Sequence, residues 1–352
     1  MENRLIKKDK SKIPSAGFAN SDDSGLKAKV LRFIRGNFFI PDPRKGWNKY
    51  AFRKACELIE SEKIEHLITT SPPHSTQLIG LKLKKRYPEI KWIADLRDPW
   101  TDIYYYSMFY HTCIASSIDR KLEKKVLINA DRIITVGKSL KELFSAKSEG
   151  LADKISVITN GFDEDDFKGL EKTTPEDFTI SYIGTLSEAY PLDGFLKALS
   201  SLRNHGTKVN LKFIGSVSQG RKDLIHSIIS AEDVQFISYV DHSSAIKYMN
   251  ESSALLLIIP NHSSNKSILT GKLFEYIASG KPIICLGPRD GDAAEIIEKS
   301  SSGMTFGYDD SDHIFSFIEE IRNKTWSNNN SNSDLSRRNL TGQLSKLLCK
   351  TD

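Results

Sequence analysis

The sequence predicts an α/β protein of two parallel-sheet domains, and three observations lead there. Short apolar runs, about six residues at the longest, alternate along the chain with segments whose apolar residues recur at the 3.6-residue helical period. Several of those runs stop at Gly, Pro, Ser or Asn, the residues of turns at strand ends. The 352 residues are enough for two domains, each with its own core.

Residues 1–28 are polar and rich in Ser, Lys and Asp, and with the basic stretch that follows they are expected to form a poorly ordered lead to residue 36. A first domain is expected over 37–170. Its elements begin with a helix from about residue 48, with Tyr50, Ala51, Ala55, Leu58 and Ile59 as its apolar stripe. A strand over 64–69 leads to Ser71-Pro72-Pro73-His74-Ser75, a helix covers 76–86, and a strand over 91–96 ends at Arg97-Asp98-Pro99-Trp100. After an aromatic loop (104–110) come a helix over 113–129 and strands over 133–136 and 155–158, the last ending at Asn160-Gly161.

A linker at 168–177 opens a second domain over 171–325. It starts with a strand over 178–183 that ends at Gly184-Thr185, then a helix near 192–203. Strands over 210–214 and 234–237 and a helix near 243–250 follow, and a further helix covers 314–323. Residues 326–352 read as an Asn/Ser linker and a final helix (335–349) placed to return to the first domain.

Composition narrows the function classes. Apolar content of 39% and charge of 27% describe an ordinary soluble protein, and no apolar run can span a membrane. The N-terminal residues lack the apolar core of a signal peptide. The four cysteines are scattered, with no CxxC or metal-ligand spacing, which fits a reduced cytoplasm. A net charge of +5 is short of a nucleic-acid-binding profile but compatible with an anionic membrane surface.

The stretch with most chemical content is 254–286. A buried strand (254–259) is followed by a polar loop, a helix from about Lys272 and a second buried strand from Pro282, with Gly280 suited to a left-handed helix cap. In a parallel sheet, ligands bind beyond the carboxyl ends of the strands, and a helix N-terminus there suits a phosphate. Gly271 permits close approach, Thr270 can cap, Lys272 adds a full charge, and Glu275 can accept from a ribose diol. On spacing alone, Lys272 and Glu275 equally make an ordinary surface pair on a helix.

Lys-Leu-Phe-Glu-Tyr (272–276) followed by Ala-Ser-Gly-Lys-Pro-Ile-Ile (278–284) resembles the donor-binding element of GT-B glycosyltransferases of the family 4 type. SPPHS (71–75), ADLRDPW (94–100), ADRIITVGKSL (130–140) and VITNGFDEDDF (157–167) extend the resemblance from about residue 37 onward, in order. It implies two Rossmann-like domains facing a cleft, a nucleotide-sugar donor, a lipid-linked or growing surface saccharide as acceptor, retention of configuration, and no metal or other cofactor. It also implies work at the inner face of the cytoplasmic membrane.

Carried over residue by residue, Glu275 is the ribose ligand, while the partner glutamate eight positions earlier is replaced by Ser267. The Arg and Lys usual after Gly184 are replaced by Thr185 or Ser187 and by Asp193. The leaving diphosphate must then rest on Lys272, with Lys266, Arg221 and Lys222 as helpers. Arg97 stands where a His is usual, beside Asp98, and His74 ends the preceding strand near the acceptor. Nothing in 1–36 has the strand, Gly-rich loop and helix with which such proteins generally begin, so the first domain is expected to lack its first βα unit.

Two Asp-x-Asp triplets, Asp163-Glu164-Asp165 and Asp290-Gly291-Asp292, have the form of a metal clamp but also that of common Asx turns. The expectation is a metal-independent glycosyltransferase with Lys272, Arg97 and Asp98 as catalytic residues. Glu275, Gly271, Thr270, Ser267, Gly184, Thr185 and His74 are its expected substrate contacts. The alternative is a truncated or degenerate non-catalytic relative that binds nucleotide sugar or a partner enzyme. A GT-B sugar epimerase would need an acid and base set that the sequence does not display.

Overall fold

Two parallel sheets organise the chain in a computed structural model that describes residues 25–170, 173, 175–325 and 332–349. The first sheet has the order β1 (His66–Ser71), β2 (Lys91–Leu96), β3 (Arg132–Thr135), β4 (Ile155–Val157). The second has β5 (Thr179–Ile183), β6 (Asn210–Ile214), β7 (Val234–Ile237), β8 (Ala254–Ile258), β9 (Ile283–Leu286) and β10 (Gly303–Phe306), in the order β10-β9-β8-β5-β6-β7.

The helices are α1 (Leu26–Phe38), α2 (Asn48–Glu62), α3 (Gln77–Arg86), α4 (Cys113–Asn129), α5 (Lys138–Ser145), α6 (Asp193–Asn204), α7 (Gln219–Ile228), α8 (His242–Asn250), α9 (Gly271–Ser279), α10 (Asp292–Lys299), α11 (Ser311–Arg322) and α12 (Arg337–Cys349).

The second sheet is a sandwich filling. Ala254, Leu256 and Ile258 point to one apolar cluster and Leu255 and Leu257 to the other, so every side chain of β8 is buried. From β5 the chain winds outward through β6 and β7, then returns to β8 on the other side of β5. The carboxyl ends of β5 and β8 therefore bound a crevice at a topological switch point, where ligands of open α/β sheets bind.

The first sheet winds one way only. One face, with Trp92, Ala94 and Leu96, packs under helices; the other carries Ile93, Ile134 and Ile158 and is met by Leu340, Leu344, Leu347 and Leu348 of α12. The last helix thus lies on the first sheet. Among the described residues β1 has no strand on its outer side, and its Ile68 is 39% exposed.

The poorly ordered lead expected to residue 36 is corrected in part: residues 1–24 lie outside the described residues, and α1 occupies Leu26–Phe38. Its Leu, Val, Phe and Ile alternate with Lys and Arg, and no proline interrupts them before Pro41. The strand expected at 64–69 sits two residues on, because its buried positions are Thr69 and Ser71. Helices α5, α7 and α10 and strand β10 carry no expectation from sequence.

Candidate functional site

The switch-point crevice is built from α9 and the end of β5. Leu273, Phe274, Tyr276 and Ile277 bury the apolar face of α9. Tyr276 also ties the helix to the sheet, its hydroxyl accepting from the Ile183 N–H at 3.0 Å. Gly280 ends α9 in the left-handed conformation, φ 68°. Thr270 stands at the N-cap position but does not cap; its Oγ1 is buried and has no partner among the described residues, so the expected capping role is corrected.

Lys272 reaches from α9 to β5. Its ammonium donates to Tyr182 Oη at 3.1 Å and lies 4.3 Å from that ring's centroid. The residue as a whole is half-buried, and burial pushes the pKa of its ammonium from 10.5 down to about 8. No carboxylate among the described residues pairs with it at salt-bridge distance; Glu275 acts on it only at longer range. Gly184, at φ +132°, holds a backbone conformation that a Cβ would strain, and a Cβ there would stand 2.9 Å from Lys272 Nζ and push the ammonium from its place. The result is a buried cation carried by the first turn of a helix whose N-terminus has no side-chain cap, two features that each favour an anion.

Glu275, one turn on, has a side chain 24% exposed, 4.0 Å from His242 Nδ1. Burial raises its pKa, against the opposing effect of His242. Thr185 contributes its carbonyl, which accepts from Tyr182 Oη at 2.7 Å. Ser267 lies in a single turn (Asn265–Ser267), its hydroxyl donating to the Ser264 carbonyl.

The three helper cations are engaged elsewhere, a correction to that expectation. Arg221 is held by Glu188, Lys266 pairs with Asp290, and Lys222 lies over the Phe236 ring.

On the first-domain side Arg97 turns away from Asp98. Its Nε pairs with Asp95 at 2.9 Å and its Nη1 donates to Asn160 at 2.8 Å. Arg97 and Gly271 border one cavity of roughly 490 Å³, which brings the two domains together. Asp98 has its pKa raised by burial. His74 stacks on Trp100 at 5.0 Å and borders a different, aromatic cavity of roughly 320 Å³. Burial pushes His74 down to about 4, so its ring is neutral near pH 7. His74 and Arg97 are therefore not in one pocket.

Two contacts across the crevice carry no signal in the sequence. Tyr104, from the aromatic loop, stacks on His262, from the loop after β8, at 4.2 Å. Asp292 at the start of α10 caps the N-terminus of α5 in the other domain, accepting from Ser139 N–H at 3.0 Å and Ser139 Oγ–H at 2.8 Å. Gly137 makes room: a Cβ there would fall 2.0 Å from Asp292 Oδ2. The partners are 153 residues apart, and nothing local marks either as the other's.

This contact also accounts for one Asp-x-Asp triplet, whose Asp290 pairs with Lys266. In the other, Asp163 caps its own turn and Asp165 pairs with Lys168.

Residues 177–323 match the family model described as glycosyl transferases group 1. No curated protein matches the sequence. Among solved structures, a sucrose-phosphate synthase from Thermosynechococcus elongatus is similar at TM-score 0.62 and 13% identity, over 88% of this chain and 81% of that one. A lipopolysaccharide outer core galactosyltransferase, WaaB, is similar at TM-score 0.59 and 14% identity, with the same coverage of 88% and 81%. An Anabaena protein, Alr3699/HepE, solved in complex with UDP-glucose, is similar at TM-score 0.56 and 15% identity, over 84% and 81% of the two chains. Identities this low speak to fold, and the fold is GT-B.

Proposed function

We propose that this chain is a glycosyltransferase that moves a sugar from a nucleotide-diphosphate donor to a saccharide or lipid-linked acceptor. The observation that carries the reading is Lys272, in the first turn of α9 at the switch point, its ammonium buried with no carboxylate at salt-bridge distance among the described residues. The family match over 177–323 covers this element. As the bond from sugar to diphosphate breaks, charge grows on the leaving oxygens, and a fixed ammonium and helix N-terminus stabilise that charge more than the ground state. Glu275 accepts from the ribose hydroxyls. Arg97, at the edge of the cavity shared with Gly271, faces the transferred sugar or its phosphate from the first domain. Asp98, held above the usual carboxylate range, stands on the acceptor side.

Retention of configuration, independence of metal, and an acceptor at the inner face of the cytoplasmic membrane complete the proposal on the strength of the resemblance. Among the described residues no helix is long and apolar enough to cross a membrane.

One observation favours a second reading, a protein that binds nucleotide sugar without turning it over. No cation follows Gly184, and Arg221 is committed to Glu188.

Calorimetric titration with a panel of nucleoside diphosphates, beside a donor-hydrolysis and transfer assay, separates the two. Glu275→Ala should weaken nucleotide binding by roughly ten- to a hundredfold, because hydrogen bonds to a charged group are worth about 1.5–3 kcal/mol. Unchanged binding in a folded variant sinks the site. Tight binding by the parent chain with no turnover across donors and acceptors selects the second reading.

A further inference from the structure

Helix α1 is built inside out. Leu26, Val30, Phe33 and Ile34 recur at i, i+4, i+7 and i+8, the stripe a surface helix normally turns inward. Here that stripe faces away from the domain: Leu26 is 79% exposed, Phe38 69%, and Val30, Phe33 and Ile34 are exposed as well. The inward contact is made instead by Gly36, whose missing Cβ would stand 2.6 Å from the Phe109 carbonyl oxygen. Next to it, α4 repeats the pattern, with Ile114 75% exposed and Ile118 exposed one turn on.

Charge completes the surface. Helix α1 carries Lys27, Lys29, Arg32 and Arg35 and no carboxylate. Helix α4 exposes Arg120, Lys121, Lys124 and Lys125, while its two carboxylates are turned inward. Asp119 accepts from Trp100 and Tyr106, and Glu123 pairs with Lys147. An exposed apolar stripe among cations, with no exposed carboxylate on either helix, is the composition of an interfacial helix on anionic lipid. A protein-binding patch would instead be depleted of lysine at its centre.

We infer that the surface formed by α1 and α4 docks on an anionic lipid bilayer, with the apolar side chains of α1 in the headgroup boundary. The docking stands apart from the proposed sugar transfer; only its use rests on that reading. Arg35 and Gly36 of α1 also wall the aromatic cavity that His74 and Trp100 border. Docking would set that cavity at the membrane surface, where a lipid-borne acceptor is met.

Co-sedimentation of the full chain with vesicles tests this, using phosphatidylcholine alone and phosphatidylcholine with phosphatidylglycerol. Binding is expected to the anionic vesicles and to weaken with added salt. Each neutralised lysine should weaken it by about fivefold, so Lys27→Gln with Lys29→Gln gives a loss of roughly 25-fold. Leu26→Asp, at the most exposed position of the stripe, and Phe33→Asp, with circular dichroism unchanged, should abolish it.

No binding, equal binding to both vesicle types, or variants that bind like the parent would overturn the inference. So would light scattering that shows a stable dimer which Phe33→Asp dissociates. Nucleotide titration of the same variants keeps the readings apart. Lost docking with unchanged nucleotide affinity supports the surface alone, and intact docking in a parent chain that binds no nucleotide leaves it standing while sinking the donor site.

Discussion

Replacing Lys272 by Met should make the protein more stable and at the same time remove its anion site. A fall in pKa from 10.5 to about 8 corresponds to about 3 kcal/mol of unfavourable burial of the charged form. Methionine fills a similar volume without charge, and losing the hydrogen bond to Tyr182 returns about 1 kcal/mol. The net gain at pH 7 is about 2 kcal/mol.

The sign follows from proton counts. Below about pH 8 the folded and unfolded chains both hold the proton, so the cost is fully present. Between about 8 and 10.5 the unfolded chain keeps a proton that the folded chain has released, so stability rises with pH and the advantage of Met shrinks.

Ligand binding adds an independent readout. With a pKa of about 8, the free side chain is neutral in about a tenth of molecules at pH 7 and about nine tenths at pH 9. A diphosphate beside it restores the charge, so the side chain should take up about 0.1 proton at pH 7 and about 0.9 at pH 9. With its own second ionisation near about 6, a phosphate still holds about a tenth of a proton at pH 7 and almost none at pH 9, so release from the ligand offsets the side chain's uptake at pH 7 and leaves that at pH 9 intact. Calorimetry in buffers of different ionisation enthalpy measures this uptake, and nucleoside without phosphate is the control. An uptake that does not change between pH 7 and 9, or that survives in Lys272→Met, refutes the assignment.

Two further outcomes follow. Asp292→Ala removes two hydrogen bonds to a carboxylate, each worth about 1.5–3 kcal/mol, and should widen the molecule in X-ray scattering while circular dichroism is unchanged; Gly137→Ala should do the same, because its Cβ would displace that carboxylate. Burial holds His74 at about 4, so as pH falls from 6.5 the unfolded chain gains a proton that the folded chain refuses, and stability declines. In His74→Phe, which keeps the stack on Trp100, thermal unfolding should lose roughly 3 kcal/mol of the decline that accumulates down to about pH 4; an unchanged slope would place the titration elsewhere.

What the sequence reveals and what it hides divide by range. The β8–α9–β9 unit was readable because its apolar runs, its Gly280 cap and the place of Lys272 are set within some thirty residues, and local rules govern each. Helix α1 defeated the same rules in an instructive way. Its period is clear once its bounds are known, but an apolar stripe that faces outward beside four cations reads locally as a basic lead.

The partners of Arg97 were hidden for another reason. Its neighbour Asp98 is nearest in sequence, yet alternation along β2 puts Asp95 and Arg97 on the same side, and Asn160 comes from the loop after β4, beyond the intervening β3. Thr270 had the residue type and position of a cap, but its hydroxyl turned inward. The pairing of Asp292 with Ser139 is a fact of tertiary structure alone.

Tyr276 and Lys272 hold α9 to β5 through Ile183 and Tyr182, so the amides, the ammonium and Gly184 move as one body. The second domain is therefore a preset vice whose jaw spacing does not depend on how the halves are disposed. What the pin at Asp292 and the ring stack of Tyr104 on His262 govern is the approach of the opposite wall. On the proposed reading, a solution that swings the halves apart would leave the nucleotide's hold on the second domain nearly untouched while withdrawing Arg97 and the acceptor wall, so opening and closing would be visible in rate and almost invisible in an isotherm for the nucleoside diphosphate alone.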